Sequence, residues 1–327
     1  MKKLLEVKNL HVSFGVQQKQ VHAVRNISFF LRDGERLGIV GESGCGKSAT
    51  AKALVKLLPS YSSSLKGEVW FDGKDLMSYD EKMMRGVRGK EIGMIFQDPM
   101  TSLNPTMRVG AQIAEGYKRH NPSASNEKAE QNACEMLELV GIAQSYEVAR
   151  SYPHTLSGGM RQRAMIALAL ICKPKLLLAD EPTTSLDVTI QAQILELMQT
   201  VQKKTATSII LITHDLSVVA GFCDRVLVMY AGQIVEDAPV DKLFEQPEHP
   251  YTQRLLQSLP RLNMTKDHPL IPIEGRPPDL LSVSPGCPFW TRCTGAMHIC
   301  RLKNPPSFSV GEDHQSFCWK HAAEVER

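Results

Sequence analysis

The sequence predicts an α/β fold with a mostly parallel sheet, continued by a small cysteine-rich C-terminal extension. Three observations carry that prediction. Residues 41–48 read GESGCGKS, a glycine loop between the apolar run 37–40 and a helix-like run, 49–58, that stops before Pro59. Apolar strand-like runs at 176–179, 208–213 and 226–230 alternate with segments of helical period, the pattern of a parallel sheet with crossover helices. After Phe244 proline becomes frequent, periodicity weakens, and Cys287, Cys293, Cys300 and Cys318 crowd into the last 41 residues. The expected division is a main domain over 1–245 and an extension over 246–327.

The elements follow in order. Residues 4–12 alternate as a strand, with Leu5, Val7 and Leu10 among charged neighbours. Residues 21–31 and 36–40 are further strands, broken by Asp33-Gly34. Residues 68–71 followed by Asp72-Gly73 read as a hairpin arm and its turn. Residues 91–96 form a short strand ending at Gln97-Asp98-Pro99. From Arg108 to about Ala149 the period is helical, as in Ala133, Met136, Leu137 and Val140, and Gly141 reads as a helix stop. Leu156-Ser157-Gly158-Gly159-Met160 stands at the head of a helical run over 161–171.

The chemistry of the glycine loop follows from its residues. Gly41, Gly44 and Gly46 let the backbone bend and approach an anion closely. Successive N–H groups, Ser43, Cys45 and Ala49 among them, then face phosphate oxygens, and the following helix adds its positive end. Lys47 can reach β- and γ-phosphates, and the Ser48 hydroxyl can bind Mg²⁺. The Cys45 thiol occupies a variable position and is incidental. The strand 176–179 ends in Asp180 and Glu181: an acid at a strand end can hold Mg²⁺, and its neighbour can polarise an attacking water. Ser157, Gly158 and Gly159 sit where a helix N-cap belongs and make a second anion site. His214 closes the strand 208–213, where it can bond a γ-phosphate or orient water; Gln97 offers an amide to Mg²⁺ or water.

With GESGCGKS, Gln97, LSGGM, LLLADE, Ser185-Leu186-Asp187 and His214 in this order, residues 4–245 resemble the nucleotide-binding subunit of an ATP-binding cassette (ABC) transporter. The resemblance implies a P-loop NTPase fold: a RecA-like core, an antiparallel β subdomain and an inserted helical subdomain over about 99–165. It implies ATP hydrolysis with Mg²⁺ at Ser48, Gln97 and Asp180, a general base at Glu181, a switch at His214, and a D-loop around Asp187. Phe14 resembles the aromatic that stacks on adenine, whereas Met160 departs from the usual Gln of the signature. It also implies a head-to-tail dimer in which the 156–160 signature of one subunit closes over ATP on the other's phosphate loop.

Glu248-His249-Pro250-Tyr251-Thr252-Gln253 and the run 97–105, QDPMTSLNP, resemble the oligopeptide and dipeptide importer ATPases. That resemblance implies a paralogous ATPase partner, two membrane permeases gripped by the loop after Gln97, and an extracytoplasmic binding protein acting through the permeases. Some relatives carry nickel or other small solutes. The expected location is the cytoplasmic face of the membrane, as a peripheral subunit.

The tail spacing is Cys287-x5-Cys293-x6-Cys300-x17-Cys318. Four thiols in a short, Pro-rich segment suit a metal that supplies folding free energy, either Zn²⁺ or an iron–sulfur cluster, with free thiols or disulfides as the remaining alternative. The spacing also resembles the tail of some dipeptide-importer ATPases that hold a [4Fe–4S] cluster. Since this segment lies outside the main domain, its perturbation is expected to spare nucleotide binding. Cys134, Cys172 and Cys223 read as buried thiols in a reducing compartment.

Composition excludes other classes. With 327 residues, 22% charged and 43% apolar, the chain has a soluble composition and room for about two domains. A net charge of +3 gives no nucleic-acid signature, which weighs against a non-transport ABC ATPase acting on nucleic acid. No apolar run is long enough to span a membrane, and Glu6 and Lys8 interrupt any secretory signal. A GTPase is disfavoured because no [NT]-K-x-D guanine motif is present.

Overall fold

The computed structural model describes residues 2–16, 19–98, 102–184, 187–258, 273–281 and 284–322. Along the chain run β1 (Lys3–Val16), β2 (Lys19–Arg32), β3 (Arg36–Val40), α1 (Lys47–Leu54), β4 (Ser63–Phe71), β5 (Lys74–Asp75), α2 (Glu81–Val87) and β6 (Ile92–Ile95). Next come α3 (Val109–His120), α4 (Asn126–Leu139), α5 (Ser145–Arg150), α6 (Gly158–Leu170), β7 (Leu176–Asp180), α7 (Val188–Thr205) and β8 (Ser208–Thr213). The rest is α8 (Leu216–Phe222), β9 (Arg225–Tyr230), β10 (Gln233–Pro239), α9 (Val240–Glu245), α10 (Pro250–Gln257), α11 (His298–Leu302), β11 (Phe308–Gly311) and β12 (His314–Ser316). These residues pack as two units. The first comprises Met1–Lys3, Leu31–Arg36 and Ser78–Ile212; the second comprises Leu4–Phe30, Leu37–Met77 and Thr213–Arg327.

In the first unit β6, β7 and β8 pair in parallel, Ile92 opposite Leu176 and Leu176 opposite Ser208. Every residue of β7 and β8 is buried, as strands covered on both faces require. The helical stretch expected from Arg108 to about Ala149 forms three helices, α3, α4 and α5, and the stop read at Gly141 falls at the end of α4. Ser125 caps α4 by accepting from the Lys128 N–H, and Gly141 follows α4 with φ +78°. Arg163 on α6 donates to the Val140 carbonyl at 2.8 Å, satisfying the end of α4 from a neighbouring helix.

In the second unit β2, β1, β4 and β5 form an antiparallel sheet in that order. Leu5, Val7, Leu10 and Val12 of β1 are buried, so the alternation in the sequence is a core face. The β4–β5 turn is Asp72-Gly73 with φ of +46° and +78°, the conformation a two-residue hairpin needs. A separate run of strands has the order β11-β12-β10-β9-β3. The sequence reading did not mark β10, α10 or the β11–β12 hairpin. Glu236 of β10 pairs with Ser316 of β12, so residues on both sides of 245 share one sheet. Position 245 marks a change of composition inside this packing unit.

Candidate functional site

The phosphate loop leaves β3 and enters α1. Helix α1 begins at Lys47, two residues earlier than the sequence suggested, and ends at Leu54; the chain then turns away at Lys56, whose φ is +50°. Gly46 precedes the helix with φ +102°, and a Cβ there would stand 2.2 Å from the Ala23 carbonyl oxygen, so glycine is obligatory. Lys47 is buried, and its ammonium donates to the Gly41 carbonyl at 2.7 Å and the Glu42 carbonyl at 3.0 Å. Burial pushes the Cys45 thiol above its ordinary pKa, with Lys47 opposing, so the thiol is a neutral wall of the loop. Ser43 and Gly44 are exposed at the rim, while Ser48 and Ala49 are half-buried on the first turn of α1.

Phe14 lies near the end of β1, half-buried and paired with Ser63 of β4. His214 follows β8 and is exposed; Asp215 caps α8 by accepting from the Ser217 N–H at 2.8 Å.

The carboxylate strand belongs to the first unit. Asp180 ends β7 and is 2% exposed. Glu181 follows with φ +48°, a left-handed conformation that is strained for a side-chain-bearing residue. Its N–H donates to the Ile212 carbonyl at 2.9 Å, which fixes that conformation. Its Oε2 accepts from Gln97 Nε2 at 2.9 Å and from Thr184 Oγ1 at 3.0 Å. The structure therefore brings Gln97 and Glu181 together, and it adds Thr184, which the sequence reading missed. Ser157 caps α6: its hydroxyl accepts from the Met160 N–H at 3.3 Å, leaving Gly158 and Gly159 on the first turn. Asp187 caps α7 by accepting from the Ile190 N–H at 2.9 Å. Ser185 and Leu186, and Pro99, Met100 and Thr101, lie outside the described residues.

Two further residues reach the phosphate loop within the second unit. Tyr251 is fully buried, and its hydroxyl accepts from the Glu42 N–H at 3.0 Å. Arg292 donates to both Glu42 carboxylate oxygens, at 2.9 and 3.2 Å. Tyr230, Tyr251 and Phe289 form an aromatic cluster beside this contact, with ring centroids 4.6 to 5.4 Å apart. The tail is therefore packed on the loop, against the expectation that it stands apart. The His249-Pro250-Tyr251 run now has a physical role. His249 caps α10 through Nδ1, its N–H is held by the buried Glu236, and Tyr251 is thereby aimed at Glu42.

The four tail cysteines gather in the second unit. Gly286 has no room for a Cβ, which would stand 2.2 Å from the Cys300 carbonyl oxygen; the Cys287 N–H donates to that same oxygen at 2.8 Å. Burial raises the Cys293 and Cys318 thiols above their ordinary pKa. Burial pushes the Cys287 thiol up to about 12, and the charges of Cys300, Cys318 and Cys293 act in the same direction. The donor set fits a thiolate-bound metal in number and in donor type. The expected four-cysteine site is nevertheless not assembled: among the described residues no group of three or more His, Cys, Asp or Glu stands where it could hold a metal ion.

The chain is similar to known proteins over nearly its whole length. The ABC transporter family matches residues 24–184, and the oligopeptide/dipeptide transporter C-terminal region matches residues 235–300. The dipeptide transport ATP-binding protein DppD of Bacillus subtilis is 52% identical over 98% of this chain and 95% of its own length. The oligopeptide transport ATP-binding protein OppD of the same organism is 55% identical over 97% of this chain and 88% of its own length. A dimeric ATP-binding cassette in a post-hydrolysis state, bound to ADP and Pi, is similar with a TM-score of 0.65 at 26% identity, covering 72% of this chain and 98% of that one. An ABC transporter component from Clostridium perfringens gives 0.64 at 28%, covering 75% and 92%. Motifs, fold and near full-length likeness together place the chain in the ABC transporter ATPase family, in the group that carries the oligopeptide/dipeptide transporter C-terminal region.

Proposed function

We propose that this protein is the ATP-hydrolysing subunit that energises an importer of oligopeptides or dipeptides. The observation that supports this most is the likeness to peptide-transport ATP-binding proteins over nearly the whole chain, extension included. Lys47 and the loop N–H groups hold the β- and γ-phosphates, and Ser48, Gln97 and Asp180 hold Mg²⁺. Glu181 takes the proton of the attacking water, and His214 orients the γ-phosphate. Phe14 stacks on the adenine. Ser157, Gly158, Gly159 and Asp187 act across a dimer, on ATP bound to the phosphate loop of a paralogous subunit. Two permeases and an external binding protein complete the machine, with this subunit on the cytoplasmic face. Membrane attachment through partners accords with the described residues, among which no helix is long and apolar enough to cross a membrane.

The tail cysteines bind a metal in this reading, with a [4Fe–4S] cluster as the first assignment and Zn²⁺ as the alternative. Cys287, Cys293, Cys300 and Cys318 would hold it, and the bound metal would supply folding free energy to the extension.

The test is reconstitution of the full complex in vesicles with its binding protein. ATP hydrolysis that rises on adding peptide supports the assignment. Hydrolysis indifferent to peptide but raised by DNA or RNA would replace it with a nucleic-acid ATPase.

A further inference from the structure

The phosphate loop carries a carboxylate of its own. Glu42 is the second residue of GESGCGKS, in a loop whose work is to hold anions. An unpaired carboxylate there repels phosphate oxygens, by an energy that grows as the surroundings become drier. The Arg292 side chain, 4% exposed, makes a two-pronged contact with that carboxylate. Its remaining donors are fixed by the Glu274 carbonyl at 2.8 Å, the Ile273 carbonyl at 3.1 Å and the Tyr230 hydroxyl at 3.1 Å. The planar fork suits a carboxylate, and a guanidinium so bonded has no freedom to swing away. Tyr251 holds the backbone of the same residue through the Glu42 N–H. Glu42 is thus gripped at both main chain and side chain by residues 209 and 250 positions away.

We propose that Arg292 is a positioning residue for nucleotide binding: it neutralises Glu42 and fixes the phosphate loop in its anion-holding shape. The extension is thereby a working part of the ATP site rather than an appendage. This rests on the functional reading above, since it assumes that the loop binds Mg-ATP.

The test measures the Kd of Mg-ATP on the full chain, and the ATP dependence of hydrolysis in the full complex, for four variants. Arg292→Ala should weaken Mg-ATP binding by roughly ten- to thirty-fold, as one uncompensated charge near the phosphates requires. The rate at saturating ATP should stay within about two-fold, so that KM moves and kcat does not. Adding Glu42→Gln to that variant should restore most of the affinity, because it removes the stranded carboxylate; a merely structural defect would not be repaired this way. Arg292→Lys keeps the charge and should lie between the parent and Arg292→Ala. The deficit of Arg292→Ala should shrink at high salt. If Arg292→Ala proves unfolded by its thermal midpoint, Arg292→Lys and Glu42→Gln carry the test, with Arg292→Lys weaker than parent and Glu42→Gln no weaker. Parent-like affinity in the alanine variant, or no recovery on adding Glu42→Gln, overturns the proposal while leaving the ATPase assignment intact. A parent chain that binds no Mg-ATP overturns the functional reading and this inference with it.

Discussion

Gln97 Nε2 donates a hydrogen bond to Glu181 Oε2 at 2.9 Å, so the side chain assigned as general base is held by a residue two positions beyond the end of β6. Thr184 holds the same oxygen at 3.0 Å, and the positive φ of Glu181 is fixed by the Ile212 carbonyl. A base oriented in this way acts through geometry as well as basicity. Glu181→Gln retains the shape and removes the base. ATP should still bind, and turnover with the permeases present should fall by roughly a hundred-fold or more. Single-turnover hydrolysis measured beside nucleotide affinity checks this; near-parental turnover would remove Glu181 from the role.

Ser157 separates a local role from a shared one. Its hydroxyl caps α6, and Ser157→Ala should cost about 1 kcal/mol of stability for that loss alone. If the signature also completes the ATP site of a partner, hydrolysis at the partner's phosphate loop should fall far more than thermal stability does. The measurement is turnover in complexes whose own phosphate loop is disabled by Lys47→Ala. Isolated monomers that hydrolyse ATP at the rate of the full complex would contradict a shared site.

The tail makes a prediction about composition. Protein purified without oxygen or chelator should be brown and carry roughly four irons per chain, as a Cys₄ cubane requires. Colourless protein with one zinc would reject the cluster and keep a metal site, whereas protein with neither would reject both. Metal loading should also shield the region after about residue 284 from proteolysis.

Acid should loosen the extension through His249. Burial lowers its pKa from 6.5 to about 3, with the charges of Lys320 and His321 adding to the effect. Between those values the unfolded chain carries a proton on His249 that the folded chain refuses, so stability falls as pH is lowered through that window. Protonation at Nδ1 would also remove the acceptor that caps α10 at the Tyr251 N–H. His249→Asn keeps a capping oxygen and does not titrate, so its stability should depend less steeply on pH over the same range. Urea midpoints measured across the window check the slope; identical slopes would remove His249 as a cause.

What the sequence made legible was local. The glycine loop, the Ser157 cap and the Asp180-Glu181 strand end are each written in contiguous residues, because anion sites at helix N-termini and acids at strand ends are local constructions. Thr184, Tyr251 and Arg292 were not legible as site residues. Tyr251 and Arg292 meet Glu42 across 209 and 250 residues of chain, a distance over which no periodicity speaks. Strand β10 escaped because its face carries the buried Glu236, which pairs with His314 and accepts the N–H groups of Glu248 and His249. A buried acid in a short strand reads as a surface residue until its partners are known.

The most direct measurement of the central claim is peptide uptake by the reconstituted complex, with external binding protein and with ATP on the side of this subunit. The account predicts uptake against a gradient that requires hydrolysable ATP and collapses with Glu181→Gln here, while the variant subunit still binds ATP. Uptake that proceeds unchanged with Glu181→Gln, or ATP hydrolysis that never moves peptide, would contradict it.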